Sequence, residues 1–242
     1  MSVLVIGESL VDVVNRPDGT STAHPGGSPF NVAVGLGRLG VDTTLACQFA
    51  DDDHGRLLAD ALDDSQVEHP GPDGSVHRTS TAVATIDASG AADYTFDLTW
   101  APSSLPDPTG FDAVHVGSLG TLIEPGAAQV AELVVTADVL GIPVSFDPNV
   151  RTAVVGDPEV WQGVFARFAP HARIIKLSDE DAETLFPGVP APDLARRLAA
   201  EGALVAITQG AGGAVIAHHD ELAVIESPDV DVADTIGAGD SF

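Results

Sequence analysis

The chain of 242 residues suffices for one large α/β domain with a small appendage around a sizeable core. Hydrophobic residues make up 44 %, a composition that excludes a disordered ground state. Ten basic against thirty-six acidic residues leave a net charge of −26, with Lys176 the only lysine, which argues against nucleic acid or an anionic membrane as partner.

The first predicted element is a strand over residues 3–6. No basic n-region or long apolar h-region precedes it, and no later run has membrane-spanning length, so a soluble, cytoplasmic protein is expected. The strand leads into Gly7, Glu8 and Asp12, where Asp12 serves either as a cap or as an acceptor for adjacent hydroxyls, as a sugar would offer. His24-Pro-Gly-Gly-Ser-Pro-Phe-Asn31 follows; Gly26 and Gly27 let backbone approach a ligand, and Asn31 sits in the first turn of a helix over 29–39. Gly35-Leu-Gly-Arg-Leu-Gly40 formally matches a dinucleotide fingerprint but lies on that helix, ahead of the next strand at 43–49. A Rossmann fingerprint needs strand, glycines, then helix, so these glycines read as helix packing and a C-terminal cap, and nicotinamide-dependent oxidoreduction is rejected. Cys47, the single cysteine, lies in that apolar strand; it excludes an intramolecular disulfide and reads as a buried structural thiol.

From residue 74 to 106 the pattern changes to a hairpin, 78–86 and 94–98 around Asp87-Ala-Ser-Gly90. With residues 12–14 and 20–23 it is predicted to form a small antiparallel lid, built from about 11–24 and 76–104, or else to be an edge hairpin without a role. Strands are then predicted at 113–116, 144–146, 173–176, 204–208 and 214–218, with helices at 126–140, 157–168, 179–185 and 192–200. This alternation predicts a single domain with a mostly parallel sheet covered on both faces and sites beyond the carboxyl ends of its strands.

Several polar loops fall at that edge. Asp147-Pro-Asn-Val-Arg151 brings a carboxylate, an amide and a guanidinium together, Arg151 holding an anion or hydroxyl or else a surface ion pair. Lys176-Leu-Ser-Asp-Glu-Asp181 carries an acidic run that caps a helix or orients a hydrated Mg²⁺. Thr208-Gln-Gly-Ala-Gly-Gly213 joins two strands through glycines that admit a nucleotide or merely form a hairpin turn. The eight histidines show no metal-ligand spacing. Finally, Asp234-Thr-Ile-Gly-Ala-Gly-Asp240-Ser-Phe242 sets a glycine turn beside a carboxylate, which is either an anion site with a base or an ordinary N-cap.

Taken in order, Gly7-Glu8…Asp12, the Gly26–Asn31 loop, Asp147–Arg151, Lys176–Asp181, Thr208–Gly213 and the final glycine motif resemble the PfkB (ribokinase-like) carbohydrate kinases along the whole chain. The resemblance implies a Rossmann-like three-layer α/β/α ribokinase-like fold with a small β-sheet lid, and ATP-dependent phosphorylation of a sugar hydroxyl. It makes Asp240 the catalytic base and Gly237, Ala238 and Gly239 the anion hole. Asp12, Gly26, Gly27, Asn31, Phe96 and Arg151 match sugar-contacting positions, and Lys176, Ser178, Thr208, Gly210 and Gly213 match nucleotide-binding ones. Asp181 stands where the family's magnesium-associated N-x-x-E motif has glutamate, and Ser178 where it has asparagine; Asp234 and Ile236 would form part of a potassium site.

Within the family, Gly-Glu-x-x-x-Asp and Asp-Pro-Asn-x-Arg are most similar to fructokinases, with 2-dehydro-3-deoxygluconate kinases second. The partners implied are a small sugar and ATP, with homodimerisation through the lid. Family members continue past the glycine motif into the helix it caps, so the resemblance implies a C-terminally incomplete domain that binds ATP poorly and turns over slowly. On that account the competing expectation is a non-catalytic sugar-binding or regulatory protein.

Overall fold

A computed structural model describes residues 1–87, 89–227 and 237–242. Its main sheet contains, in chain order, β1 (Ser2–Ile6), β4 (Asp42–Ala46), β5 (Val67–Glu68), β8 (Ala113–Gly117), β9 (Val144–Asp147), β10 (Ile174–Ser178), β11 (Leu204–Thr208), β12 (Ala214–His218) and β13 (Glu221–Ile225). A second sheet contains β2 (Leu10–Asn15), β3 (Ser21–Gly26), β6 (Thr81–Ile86) and β7 (Ala92–Asp97). The helices are α1 (Ser28–Arg38), α2 (Asp53–Asp64), α3 (Gly126–Val139), α4 (Pro158–Phe168), α5 (Asp179–Leu185) and α6 (Ala191–Ala199).

Among the described residues the main sheet is nine-stranded, ordered β13-β12-β11-β10-β9-β8-β1-β4-β5, and parallel from β11 to β5. β12 and β13 close it as antiparallel hairpins. β1 shows why both faces are covered at the centre: Leu4 and Ile6 enter the core formed with α3 to α6, while Val3 and Val5 enter a second core with α1 and α2. Phe146, Trp161 and Phe168 anchor the larger core and are fully enclosed. Cover on the second face does not extend evenly: Ile174 on β10 and Leu204 on β11 remain 41 % and 37 % exposed there, because α1 and α2 pack over β1 and β4 instead.

The alternating pattern therefore predicts the sheet well, with three corrections. Helix α2 goes unpredicted because its only fully buried large side chains are Leu58 and Leu62, one turn apart in a charged stretch, with Leu57, Ala59 and Ala61 only partly buried beside them. Its start is nonetheless encoded: Asp52 accepts hydrogen bonds from Gly55 N (2.7 Å), Thr79 N (2.9 Å) and Thr79 Oγ1 (2.6 Å), capping the helix and latching it to the chain entering the lid. Strands β5 and β13 also go unpredicted. The lid is not wholly antiparallel, since β2 and β6 run parallel while β3 and β7 pair antiparallel to them; the main-sheet segment from β4 to β5 lies between the two and returns the chain in the same direction. Two of the three glycines in Gly35–Gly40 behave as the sequence predicts: Gly37 packs against the Ser65 carbonyl, and Gly40, at φ 77°, ends the helix through Gly40 N–Gly37 O and Val41 N–Leu36 O bonds, whereas Gly35 faces open space.

Asp52→Ala removes a cap and leaves the Thr79 donors without their acceptor. It is expected to destabilise the protein by about 2 kcal/mol in urea unfolding; an unchanged midpoint would show that the latch contributes nothing.

Candidate active site

The carboxyl ends of β1, β8, β9, β10 and β11 meet at one edge, in register: Gly117 is level with Asp147, and Ser178 with Thr208. The lid stands over the β1 end of this edge. Asp12 on β2 is level with Ala82 on β6, which is level with Phe96 on β7, so one row of the lid presents these three side chains to a cavity of about 410 Å³. Glu8, Gly27, Ser28, Asn31, Ser118, Arg151, Gly237 and Asp240 complete its polar lining among the described residues. The sequence-predicted sugar residues Asp12, Gly27, Asn31, Phe96 and Arg151 thus converge on one space, together with Asp240. Gly26 lies beside them, where a Cβ would displace the Asp12 carboxylate.

Gly27 explains the entry to α1. It caps the helix at φ 105°, and a Cβ there would sit 2.8 Å from the Glu8 carbonyl, so only glycine lets the helix start against the end of β1. That approach points the first turn of α1 at Asp240. Ser28 Oγ donates to Asp240 Oδ1 at 2.7 Å and Asn31 Nδ2 to Oδ2 at 2.8 Å. From the other side, Asn149 Nδ2 donates to Oδ1 at 3.0 Å. Gly237 opens the turn before Asp240 at φ 71°, and Ser241 N returns to Gly237 O at 3.0 Å, the spacing of a first helical turn. Asp234 and Ile236, predicted to take part in a potassium site, lie outside the described residues.

Beneath the turn lies a buried ion pair. Lys176 Nζ meets Asp147 Oδ2 at 2.9 Å, with the two side chains 13 % and 5 % exposed. The ammonium is close to Gly239, where a Cβ would lie 3.1 Å from Nζ. Burial pushes the Asp147 carboxyl up to about 6, with Lys176 opposing the shift. Its other oxygen accepts Asn149 N at 3.1 Å. Below these, burial pushes the His115 imidazole down to about 4, so it is neutral at pH 7; its Nδ1 meets Ser145 Oγ at 3.3 Å.

The remaining predicted residues form a separate strip. Thr208, Gly210 and Gly213 make the β11–β12 turn, closed by Gln209 N–Gly213 O at 2.8 Å; Gly213, at φ 88°, passes the Ile225 carbonyl too closely for a Cβ. Ser178 and Asp181 form a reciprocal capping box at the start of α5. Asp181 is 4 % exposed, and its oxygens accept Ser178 N and Val150 N, each at 2.8 Å. This carboxylate caps α5 and joins it to the Asp147–Arg151 loop, which leaves no room for direct coordination of a Mg²⁺, while its second lone pairs are compatible with the expected contact to a hydrated one. Among the described residues no group of three or more His, Cys, Asp or Glu side chains is arranged to hold a metal.

Sequence reasoning assigns no site role to Ser28, Asn149, Asp147 or His115. The first three belong to motifs it singles out, whereas His115 gives no local signal. Glu8 is singled out but its setting is not: it is 4 % exposed, it accepts Gly120 N at 2.7 Å, and burial pushes its carboxyl up to about 7 against Ser118, Gly120 and Arg151. Desolvation also raises the Asp12 carboxyl, with Arg151 and His24 opposing.

The family model described as pfkB family carbohydrate kinase matches residues 1–242. The fructokinase of Klebsiella pneumoniae is 32 % identical over 250 residues, covering 99 % of this chain and 81 % of the relative. That of Rhizobium leguminosarum bv. trifolii is 31 % identical over 252 residues, covering 99 % and 77 %. A fructokinase double mutant from Vibrio cholerae O395, solved with fructose, ADP and potassium, superposes with a TM-score of 0.81 at 28 % identity, covering 99 % of this chain and 80 % of that one. Aminoimidazole riboside kinase from Salmonella enterica, complexed with aminoimidazole riboside and an ATP analogue, gives a TM-score of 0.81 at 27 % identity, covering 99 % and 81 %.

The buried Glu8 carboxyl holds its proton to higher pH in the folded chain than in the unfolded one. Its contribution to stability is therefore complete below the ordinary value of 4.5 and is lost as pH rises to about 7. Glu8→Gln is expected to gain stability relative to the parent across that window, on the order of 3 kcal/mol. Urea midpoints measured at both ends test this; a difference independent of pH refutes it.

Proposed function

Because the chain belongs to the pfkB family of carbohydrate kinases, we propose that it transfers the γ-phosphoryl group of ATP to a hydroxyl of D-fructose, giving fructose 6-phosphate. The observation that carries this reading is the position of Asp240, at the end of a glycine turn and inside the cavity that Asp12, Asn31, Phe96 and Arg151 line. In this reading those four hold the sugar, and Asp240 accepts the proton of the attacking hydroxyl. Backbone N–H groups of the Gly237–Gly239 turn face the charge that develops on the transferred group, with the Lys176 ammonium beneath them. The strip of Thr208, Gly210 and Gly213 would receive the nucleotide. A divalent ion would arrive with the ATP phosphates, since Asp181 is committed to backbone donors.

Among the described residues Arg151 is the one cation lining the cavity, and a 2-dehydro-3-deoxygluconate carboxylate would need it. The Asp12 carboxylate lies within its field and the Asp240 carboxylate lines the same cavity, which offsets the charge and favours a neutral sugar. Pairing of two chains through the lid is proposed as well: Tyr94 is 57 % exposed on β7 and stacks on Phe96, and β3 and β7 are unpaired edges of that sheet among the described residues.

The test is ATP- and Mg²⁺-dependent phosphorylation of a panel containing D-fructose, 2-dehydro-3-deoxygluconate and aminoimidazole riboside. D-Fructose is expected to give the highest kcat/KM, and no turnover with any sugar or nucleoside would reject the kinase reading. Asp240→Asn should lower kcat by roughly 10²–10⁴-fold while calorimetry still detects sugar binding; retained turnover would remove Asp240 as the base. Light scattering is expected to give a dimer mass, and a monomer would dismiss the lid interface.

A further inference from the structure

The two oxygens of the Asp240 carboxylate are not equivalent. Among the described residues, Oδ1 accepts from Ser28 Oγ at 2.7 Å and from Asn149 Nδ2 at 3.0 Å, whereas Oδ2 accepts only from Asn31 Nδ2 at 2.8 Å. A carboxylate oxygen has two lone-pair sites, so Oδ1 is filled and Oδ2 retains one. We propose that Ser28 and Asn149 are positioning residues that clamp Oδ1 of the base and thereby assign Oδ2 as the oxygen that receives the hydroxyl proton. This rests on the phosphoryl-transfer reading above.

The clamp is held from two sides of the edge. Ser28 opens α1 and is 4 % exposed, its backbone set by Gly27 at φ 105° and by Pro29 within the first turn. Asn149 is 8 % exposed and holds a left-handed backbone at φ 39°, a conformation that costs most non-glycine residues about 1–2 kcal/mol and that asparagine tolerates better. Its N–H is tied to Asp147 Oδ1, and Asp147 is in turn fixed by Lys176. The same Asp147 carboxylate therefore fixes the lysine under the glycine turn and the asparagine that orients the base. Ser28 and Asn31 both line the cavity, Asn31 through the bond to Oδ2, whereas Asn149 reaches Oδ1 from outside that lining.

The step balances as follows. As the sugar oxygen forms its bond to the γ-phosphorus, its proton passes to Oδ2 of Asp240, the bond from that phosphorus to the β–γ bridging oxygen breaks, and ADP leaves with the electron pair. A carboxylate free to rotate about χ2 would divide its lone pairs between the hydroxyl and its neighbours. Clamped at Oδ1, it offers a single direction.

Asn149→Gly is the decisive variant, because glycine adopts φ 39° without strain while removing the amide. It is expected to keep or raise the melting temperature, to lower kcat roughly 10–100-fold and to leave the KM for ATP within about twofold, a small ground-state change. Ser28→Ala is expected to show the same division between kcat and KM. If kcat in both variants stays within about twofold of the parent, the clamp is refuted; so it is if the loss of kcat accompanies a matching fall in melting temperature. In ¹⁵N spectra the side-chain amide resonances of Asn149 should move when Asp240 is replaced by alanine, and unmoved resonances would also overturn the clamp. A parent chain that phosphorylates nothing would count against the kinase reading, and the amide resonances would still decide whether Asn149 holds the carboxylate.

Discussion

A parallel sheet packed between two apolar cores leaves polar side chains only one place to gather, beyond the carboxyl ends of its strands. Here that constraint brings Glu8, Ser118, Asp147, Ser178 and Thr208 to one edge, each within a residue or two of its strand's end. Their hydrogen bonds must then be met by one another, by loop backbone or by bound molecules. The network around Asp240 is the outcome. Donors from α1 and from the loop after β9 meet at a single carboxylate on the C-terminal turn.

Charge follows the same logic. In a chain with a net charge of −26 and a single lysine, that lysine is placed in a buried pair instead of among the surface carboxylates. Buried ion pairs repay their desolvation poorly, so stability is a weak reason for this one. Its position under Gly239, with Asp147 also holding Asn149, gives it a reason in the site. The raised carboxyls of Glu8 and Asp147 and the neutral His115 have the same origin: ionisable groups placed at the floor of a dry edge.

Much of this is legible locally. Most strands of the main sheet announce themselves by short apolar runs, the start of α1 by paired glycines and a proline, and the cavity residues Asp12, Asn31 and Arg151 by their place in motifs, while Phe96 is reached only through the family resemblance. What escapes is whatever depends on partners far along the chain. Ser28 and Asn149 lie 212 and 91 residues from the carboxylate they hold, and nothing next to either identifies it. The parallel pairing of β2 with β6 is hidden similarly, because alternation predicts that a strand exists but not which way its neighbour runs. Asp181 carries two meanings in sequence, a contact to hydrated Mg²⁺ and a helix cap, and only the positions of Val150 N and Ser178 N bring out the second. The extended ribokinase-like architecture is recovered; its second face is covered less evenly than periodicity alone suggests, as Ile174 and Leu204 show.

The row formed by Asp12, Ala82 and Phe96 has a consequence for how such a lid can diverge. Side chains on a strand alternate between faces, so the three reach the cavity only while β2, β6 and β7 keep their present alignment. Gaining or losing residues in the turns around Asp18 and Asp87 leaves that alignment intact, whereas one residue added inside a strand exchanges its inner face for its outer one. Lineages carrying this lid are therefore free to vary in the length of its tips while the spacing within its strands stays counted, residue by residue.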